Sequence, residues 1–177
     1  MNPRLVLSAV KSANLGKADT GMALCIDSGA SDAGNSVGHL AQIGLGLINA
    51  YQPAAIGAMV SQTAAYTSTH LVFATRPTTS DVAPTERMRI NHDGNVGIGT
   101  ASPDELLHVH QGSAGSVTAN AAAQLIIENS GDAGINFLSP NSDDNWIMFG
   151  DTDDSFVGGL RYRHSTNNLH FYTNNSD

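Results

Sequence analysis

Two histidines one residue apart, His108 and His110, are the sharpest candidates for chemistry in this chain. Residues two apart on a β-strand point to the same face, so three copies around an axis would gather six imidazoles, a nitrogen set that suits a transition metal. That interpretation needs the histidine face to be the inner one. Leu107 and Val109 alternate with the histidines and favour the other interpretation, in which both imidazoles point outward and are solvated or paired. No cofactor is expected beyond this candidate ion on a trimer axis.

Carboxylates cluster in Asp143-Asp144 and in Asp151-Thr152-Asp153-Asp154. Calcium binds oxygen-rich loops, but Phe156 stands where an EF-hand loop needs glycine. Paired carboxylates also suit a glycosidase, although flexible Asp-rich turns position catalytic groups poorly. The favoured interpretation is two solvated turns that flank a strand around Trp146.

Flat rings near the C-terminus could form a sugar-stacking surface. The candidate binding residues are Trp146, Tyr162, His170 and Tyr172. A second interpretation places Trp146 and Tyr162 in the core of this region. His170 and Tyr172 would then remain at the surface, on the strand face opposite Leu169.

No nucleophile elbow, P-loop, dinucleotide fingerprint or cysteine-pair metal site occurs in the sequence. The single cysteine, Cys25, lies in an apolar strand pattern that is typical of a buried, inert thiol. The sequence therefore predicts a protein that is not an enzyme.

Composition narrows the class further. The formal net charge is −8 and there is no basic patch, so nucleic-acid binding and attachment to an anionic membrane are disfavoured. No apolar run approaches the roughly 20 residues of a bilayer span, so no membrane insertion is expected. Charged residues are only 14% of the 177, against about 25% in ordinary domains. Small polar and turn residues replace them, which favours strands over helices.

Period-two alternation marks the strands. Met88-Arg89-Ile90 alternates, a turn at 91–95 contains Asp-Gly, and Val96 to Thr100 alternates again, which predicts a hairpin. Gly97 and Gly99 share one face, which indicates that another backbone approaches there. Two further alternating strands are predicted at 160–163 and 169–173, and a more buried strand from Trp146 to Gly150.

The sequence also repeats itself. Leu24 to Asp27 resembles Leu125 to Glu128, and Leu71 to Thr75 resembles Leu169 to Thr173. Offsets of 101 and 98 residues separate these pairs, which is typical of a modular, elongated protein. The predicted segments are a first β unit at 1–86, a connector at 87–112 and a second β unit at 113–177.

With only ten aromatic residues, each unit alone would be marginally stable. Strands with small residues pack well when several chains wind about one axis, where neighbours also cap open sheet edges. The pattern therefore predicts a core shared between chains, without fixing their number.

The number of chains in the assembly is suggested by a resemblance. Glu86 to Ile90, Gly94 to Thr100, Ser102-Pro103 and Leu107 to Val109 resemble a motif of phage tail fibres and tailspikes. Many of those proteins end in an endosialidase-type intramolecular chaperone domain, and the stretch from 146 to 173 is similar to a segment that often precedes another copy of the motif. The resemblance implies an all-β, elongated, intertwined homotrimer. Its β-prism or β-sandwich-like units would be joined by triple-stranded β-helix segments.

The chaperone itself does not occur in this sequence. Two interpretations of the last residues, Asn175-Ser176-Asp177, stay open. They could lie near a chaperone-cleavage junction, or at an arbitrary boundary with another repeat downstream.

The resemblance implies a structural and adhesive segment of a viral tail fibre or tailspike, extracellular on the virion. It would support or form a host-receptor binding tip, with a surface carbohydrate as receptor and other tail or fibre proteins as partners. Three weak sites on one rod would bind together with raised effective concentration. Two alternatives are a polysaccharide-degrading tailspike fragment and a bacterial surface repeat protein.

Overall fold

The computed structural model describes residues 4–8, 23–27, 40–45, 51–63 and 67–173. These ranges are all-β, as predicted, and they hold no helix, hence none with the length and apolarity to cross a membrane. The strands are β1 Arg4–Ser8, β2 Ala23–Asp27, β3 Leu40–Leu45, β4 Ala54–Thr63, β5 Thr67–Thr75, β6 Thr85–Ile90, β7 Val96–Ile98, β8 Leu107–His110, β9 Leu125–Glu128, β10 Asp144–Phe149, β11 Gly158–Arg163 and β12 Asn168–Thr173.

These strands form three sheets, and each sheet keeps its strands in chain order. β1 and β2 form a two-stranded sheet, β3 to β9 a seven-stranded sheet, and β10 to β12 a three-stranded sheet. The chain divides into compact units at 1–133 and 134–177, which differs from the predicted boundaries at 86 and 112. β1 and β2 are antiparallel, whereas β8 and β9 are parallel.

The seven-stranded sheet changes direction part-way along. β3 to β7 are antiparallel neighbours, but β7, β8 and β9 run parallel. Parallel pairs normally need a crossover of a dozen or more residues, yet 99–106, an eight-residue connection, joins β7 to β8. The alternating segment with Gly97 and Gly99 lies at this change of direction.

The predicted hairpin between β6 and β7 is confirmed. Its turn is closed by Asn91, whose Oδ1 accepts the N–H of Asp93 at 3.0 Å and of Asn95 at 2.9 Å. Gly94 adopts a φ of 95°, a conformation that glycine tolerates best. The Asp-Gly signal in the sequence thus identified the turn through its backbone requirement.

Residues that pair directly across strands share a face, and this rule separates the seven-stranded sheet into two unlike faces. We call one the large apolar face, because Arg87 is its only charged residue along β3 to β9 in the part of the chain that the structure describes. Arg87 stands at the bulge in β6, and its Nε donates to Thr75 Oγ1 at 3.1 Å. The large apolar face includes Ile43, Leu45, Ile56, Ala58, Leu71, Phe73, Met88, Ile90, Val96, Ile98, Leu107, Val109, Leu125 and Ile127.

The opposite face of this sheet contains the buried residues. Ala55 and Val72 are its buried apolar side chains, but Arg89 and His108 are buried beside them. Arg89 donates two hydrogen bonds to the carboxylate of Glu86, at 2.6 and 2.7 Å, so its charge is paired. Within the described residues, this chain covers a polar face and leaves large apolar side chains exposed.

The three-stranded sheet repeats this division. Its small apolar face carries Ile147, Phe149, Leu160, Tyr162, Leu169 and Phe171, together with Asn145, Gly158 and Thr173. The predicted alternation in β11 and β12 is confirmed. The predicted strand from Trp146 is present as β10, which ends at Phe149, but it is not more buried in the single chain, because Met148 and Phe149 are 58% and 57% exposed.

Candidate functional site

A carboxylate on β9 connects three segments of the first unit. Glu128 Oε2 lies 3.1 Å from His108 Nε2, and Glu128 Oε1 accepts the N–H of Ala114 at 2.7 Å. His110 Nε2 lies 3.9 Å from the same carboxylate. The strand register places these side chains together, since His110 pairs with Glu128. Glu128 therefore fastens β8 and the 111–124 connection to β9.

Of the two expected states, solvated or paired, His108 is in the paired one, and its side chain is only 3% exposed. The connection 99–106 folds over this face of the sheet and buries Pro103. Asp104 N–H also approaches His108 Nδ1, at 3.5 Å. Since both ring nitrogens have partners, His108 has no lone pair directed at a metal. Among the described residues, no group of three or more His, Cys, Asp or Glu is arranged to hold an ion.

The ionisation of Glu128 is set by these contacts. The Ala114 N–H holds the pKa of the Glu128 carboxyl below its ordinary value, and the nearby His110 and His108 imidazoles act in the same direction against partial desolvation. Hydrogen bonds to a carboxylate favour its charged form. Glu128 is therefore an anion that accepts from two segments of the chain at once.

Gly99 explains why the motif needs glycine after β7. Its φ is 80°, and a Cβ built on it would stand 2.0 Å from the carbonyl oxygen of His110. The Gly99 N–H donates to Arg87 O at 2.9 Å. Close approach of a backbone was predicted here and is confirmed, but the approaching backbone belongs to the same chain.

In the second unit, an aromatic cluster fills one face of the three-stranded sheet. The Trp146 ring lies 5.5 Å from Phe156 and 5.4 Å from Tyr172, and the Arg161 guanidinium stands 4.9 Å from the Trp146 ring centroid. Such a cation–π contact adds to the packing of the rings. Arg161 also donates to Tyr172 Oη at 3.0 Å and, through Nε and Nη2, to Asp144.

The four predicted sugar-contact residues do not share one surface. Trp146, His170 and Tyr172 lie on the cluster face, whereas Tyr162 lies on the small apolar face. The Trp146 ring packs against Phe156 and Arg161, and the residue is half-buried. Tyr162 is 37% exposed and, on the opposite face of the sheet, does not pack with Trp146. Tyr172 packs within the cluster, and His170 Nε2 is buried without a partner among the described residues.

The acidic turns have structural partners. Asp151 Oδ1 accepts the N–H groups of Asp153 and Asp154 at 2.9 and 3.0 Å, and Asp154 Oδ1 accepts that of Phe156 at 3.0 Å. These backbone N–H groups lower the pKa of the Asp151 carboxyl. The carboxylates stabilise a turn that positions Phe156 against Trp146. This favours a structural role for the acidic turn over a role as a glycosidase carboxylate pair.

Sequence reasoning missed three residues that matter: Glu128, Phe156 and Arg161. The alternation of Arg161 with Leu160 and Tyr162 indicated the strand face on which it lies. It did not indicate its partner, because Asp144 is 17 residues away in the sequence. Glu128 and Phe156 gave no local signal. Their roles depend on strand pairing and loop closure that short-range patterns do not encode.

Comparisons with protein-family models, with curated proteins and with solved structures found no match to this chain. Functional inference therefore rests on the residues and their contacts.

Proposed function

We propose that this chain is a structural and adhesive segment of a homotrimeric virus tail fibre. It supports or forms a host-receptor binding tip on the virion, outside the cell, together with other tail or fibre proteins. The observation that carries this proposal is the large apolar face, which the described residues of the chain leave uncovered.

The exposure of that face is unusual for a protein that acts alone. Ile43, Leu45, Leu71, Ile98 and Leu125 are between 41% and 49% exposed. Monomeric proteins rarely present contiguous apolar patches larger than a few hundred Å², and each Å² removed from water stabilises by about 25 cal/mol. Identical copies carry the same apolar face, so association of copies would bury this surface.

The number three and the fibre role are supported by the motif between Glu86 and Val109, which resembles phage tail-fibre repeats. In this chain the same residues form the β6–β7 hairpin and the start of the parallel β7–β8–β9 stack. A rigid stack without helices suits a rod. Three receptor sites on one rod can each bind a surface carbohydrate weakly. Together they bind with higher avidity, because the first contact raises the effective concentration for the others.

Sedimentation and native mass measurement of the full chain test this proposal. We expect about three times the chain mass of 18.4 kDa and, without boiling, a slow band on a detergent gel. Leu125→Glu places a charge on the large apolar face and should shift the population towards single chains. The neighbouring Gln124→Glu adds a charge at an exposed position just before β9 and should not. A wild type with the mass of one chain would refute the trimer.

A further inference from the structure

We propose that the three-stranded sheet carries a second self-association surface, and that its occupant is the same face of other copies of this chain. This inference rests on the trimer of the proposed function. It adds that the unit 134–177 takes part in the assembly through contacts of its own.

The first support is the separation of charge between the two faces. Along β10 to β12 the small apolar face has no charged residue, and its polar side chains are Asn145, Tyr162 and Thr173. The opposite face carries the charged side chains of these strands, namely Asp144, Arg161 and Arg163, together with His170. A partner for the small apolar face must therefore be uncharged and apolar, as this face itself is.

The second support is area. Phe171, Leu169 and Phe149 are 68%, 57% and 57% exposed, and Phe137, Ile147 and Tyr162 are 47%, 44% and 37% exposed. With roughly 200 Å² for a fully exposed large side chain, these six expose about 600 Å² per copy. A standard stable interface buries about 800 Å² per partner, which is close to this value before smaller groups are counted.

The third support is the uneven shape of the small apolar face. Leu160, Ile147 and Phe137 line a hollow of about 160 Å³ whose lining is apolar. Next to it Phe171 projects from the edge strand β12, and Gly158 leaves a low point where it pairs with Phe149. Knobs and hollows of matching chemistry on one face allow copies to interlock, which a flat sheet would not.

A carbohydrate or a lipid surface fits this face poorly. The polar groups that a sugar would need are engaged, because Asn145 Nδ2 donates to Phe137 O and Tyr162 Oη to Asn167 Oδ1. Anionic bilayers attract surfaces rich in Lys and Arg, and neither residue lies on this face. A second copy of the chain is the occupant that these observations favour.

Cross-linking of the full chain tests the inference. In a Cys25→Ala background, Phe171→Cys and the matched control Asn168→Cys place a thiol on opposite faces of β12. A short bismaleimide should join copies through Phe171→Cys and leave Asn168→Cys as single chains on a reducing gel. If wild type is trimeric but both variants cross-link equally, or only Asn168→Cys does, this inference is overturned and the proposed function stands. A monomeric wild type would overturn both.

Charge insertion provides an independent measurement. Leu169→Glu should weaken association at least about 100-fold, because a buried unpaired carboxylate is costly, whereas Asn168→Glu should stay within about threefold of wild type. Circular dichroism of both variants should match wild type, since Leu169 is more than half exposed in the single chain. Equal association of the two variants, or co-sedimentation of wild type with phosphatidylcholine vesicles, would contradict the proposal.

Discussion

The two units solve one problem by different means. Each has a sheet with one face covered by its own connections and one bare apolar face. In the first unit, glycines and paired polar groups cover the face, with Gly97 and Gly99 at sites of close backbone approach and His108 held by Glu128. In the second, Trp146 and Phe156 fill the corresponding space.

This difference shows where each unit is vulnerable. Cover by close backbone approach leaves no room for an added atom, so the first unit should be most sensitive to small insertions of volume. Cover by aromatic side chains depends on what those rings occupy, so the second unit should be most sensitive to removal of volume.

The largest expected effect is Gly99→Ala. The added methyl group meets His110 O, and the φ of 80° is strained for any side chain, so we expect a loss of about 3–5 kcal/mol in unfolding free energy. Denaturant unfolding followed by circular dichroism at fixed protein concentration measures it.

Gly115→Ala is the matched control for that change. Its φ of 106° is equally unusual, but nothing lies within 4 Å of the added Cβ. Only the backbone preference is lost, which costs about 1 kcal/mol. Similar losses for both variants would show that close approach does not close the first unit.

An intermediate effect is expected for Trp146→Ala. Removal of the ring leaves Phe156, Tyr172 and the Arg161 guanidinium without their common contact, which should cost about 2–4 kcal/mol for this half-buried residue. Met148→Ala, on the same strand and face but 58% exposed, should lose less than about 1 kcal/mol. Thermal unfolding by circular dichroism compares them, and equal losses would remove the distinction between the units.

The smallest effect is expected for Glu128→Gln, read as a function of pH. The folded-state pKa of Glu128 is lowered, so its carboxylate stabilises the fold above the unfolded-state pKa, and this contribution is lost as pH falls through the folded-state value. The difference between the denaturation midpoints at pH 7 and at pH 4 should therefore be smaller in Glu128→Gln than in wild type. Glu105→Gln should retain the wild-type pH profile, and the same convergence there would contradict a specific role for Glu128.

The sequence was most informative where structure is local. The turn at 91–95 was predicted because an Asp-Gly pair favours the backbone conformation of a tight turn. The faces of β11 and β12 were predicted because side chains alternate along a strand with a period of two. The need for glycine at position 99 was predicted for the same reason.

What the sequence could not supply was pairing at long range. The order and direction of β7, β8 and β9 depend on connections whose path carries no periodic signal. The separation of Tyr162 from Trp146 follows from Trp146 pairing with Arg161, 15 residues later. The sequence left open whether His108 is solvated or paired, and only the fold of the 99–106 connection and the pairing of β8 with β9 show that it is covered and paired with Glu128.

The parallel stack has a consequence for how this molecule tolerates change in length. Val96 pairs with Leu107, 11 residues on, and Leu107 with Leu125, 18 residues on, yet both steps cross the same inter-strand distance. The longer step contains exposed residues such as Val117, where extra chain costs only about 0.6 kcal/mol per doubling of loop length. The shorter step is fixed by Gly99 and Pro103. We therefore expect the longer connection to tolerate insertions and peptide tags between Gly115 and Asn120, beyond the Ala114 contact with Glu128. The shorter connection, 99–106, should not tolerate them.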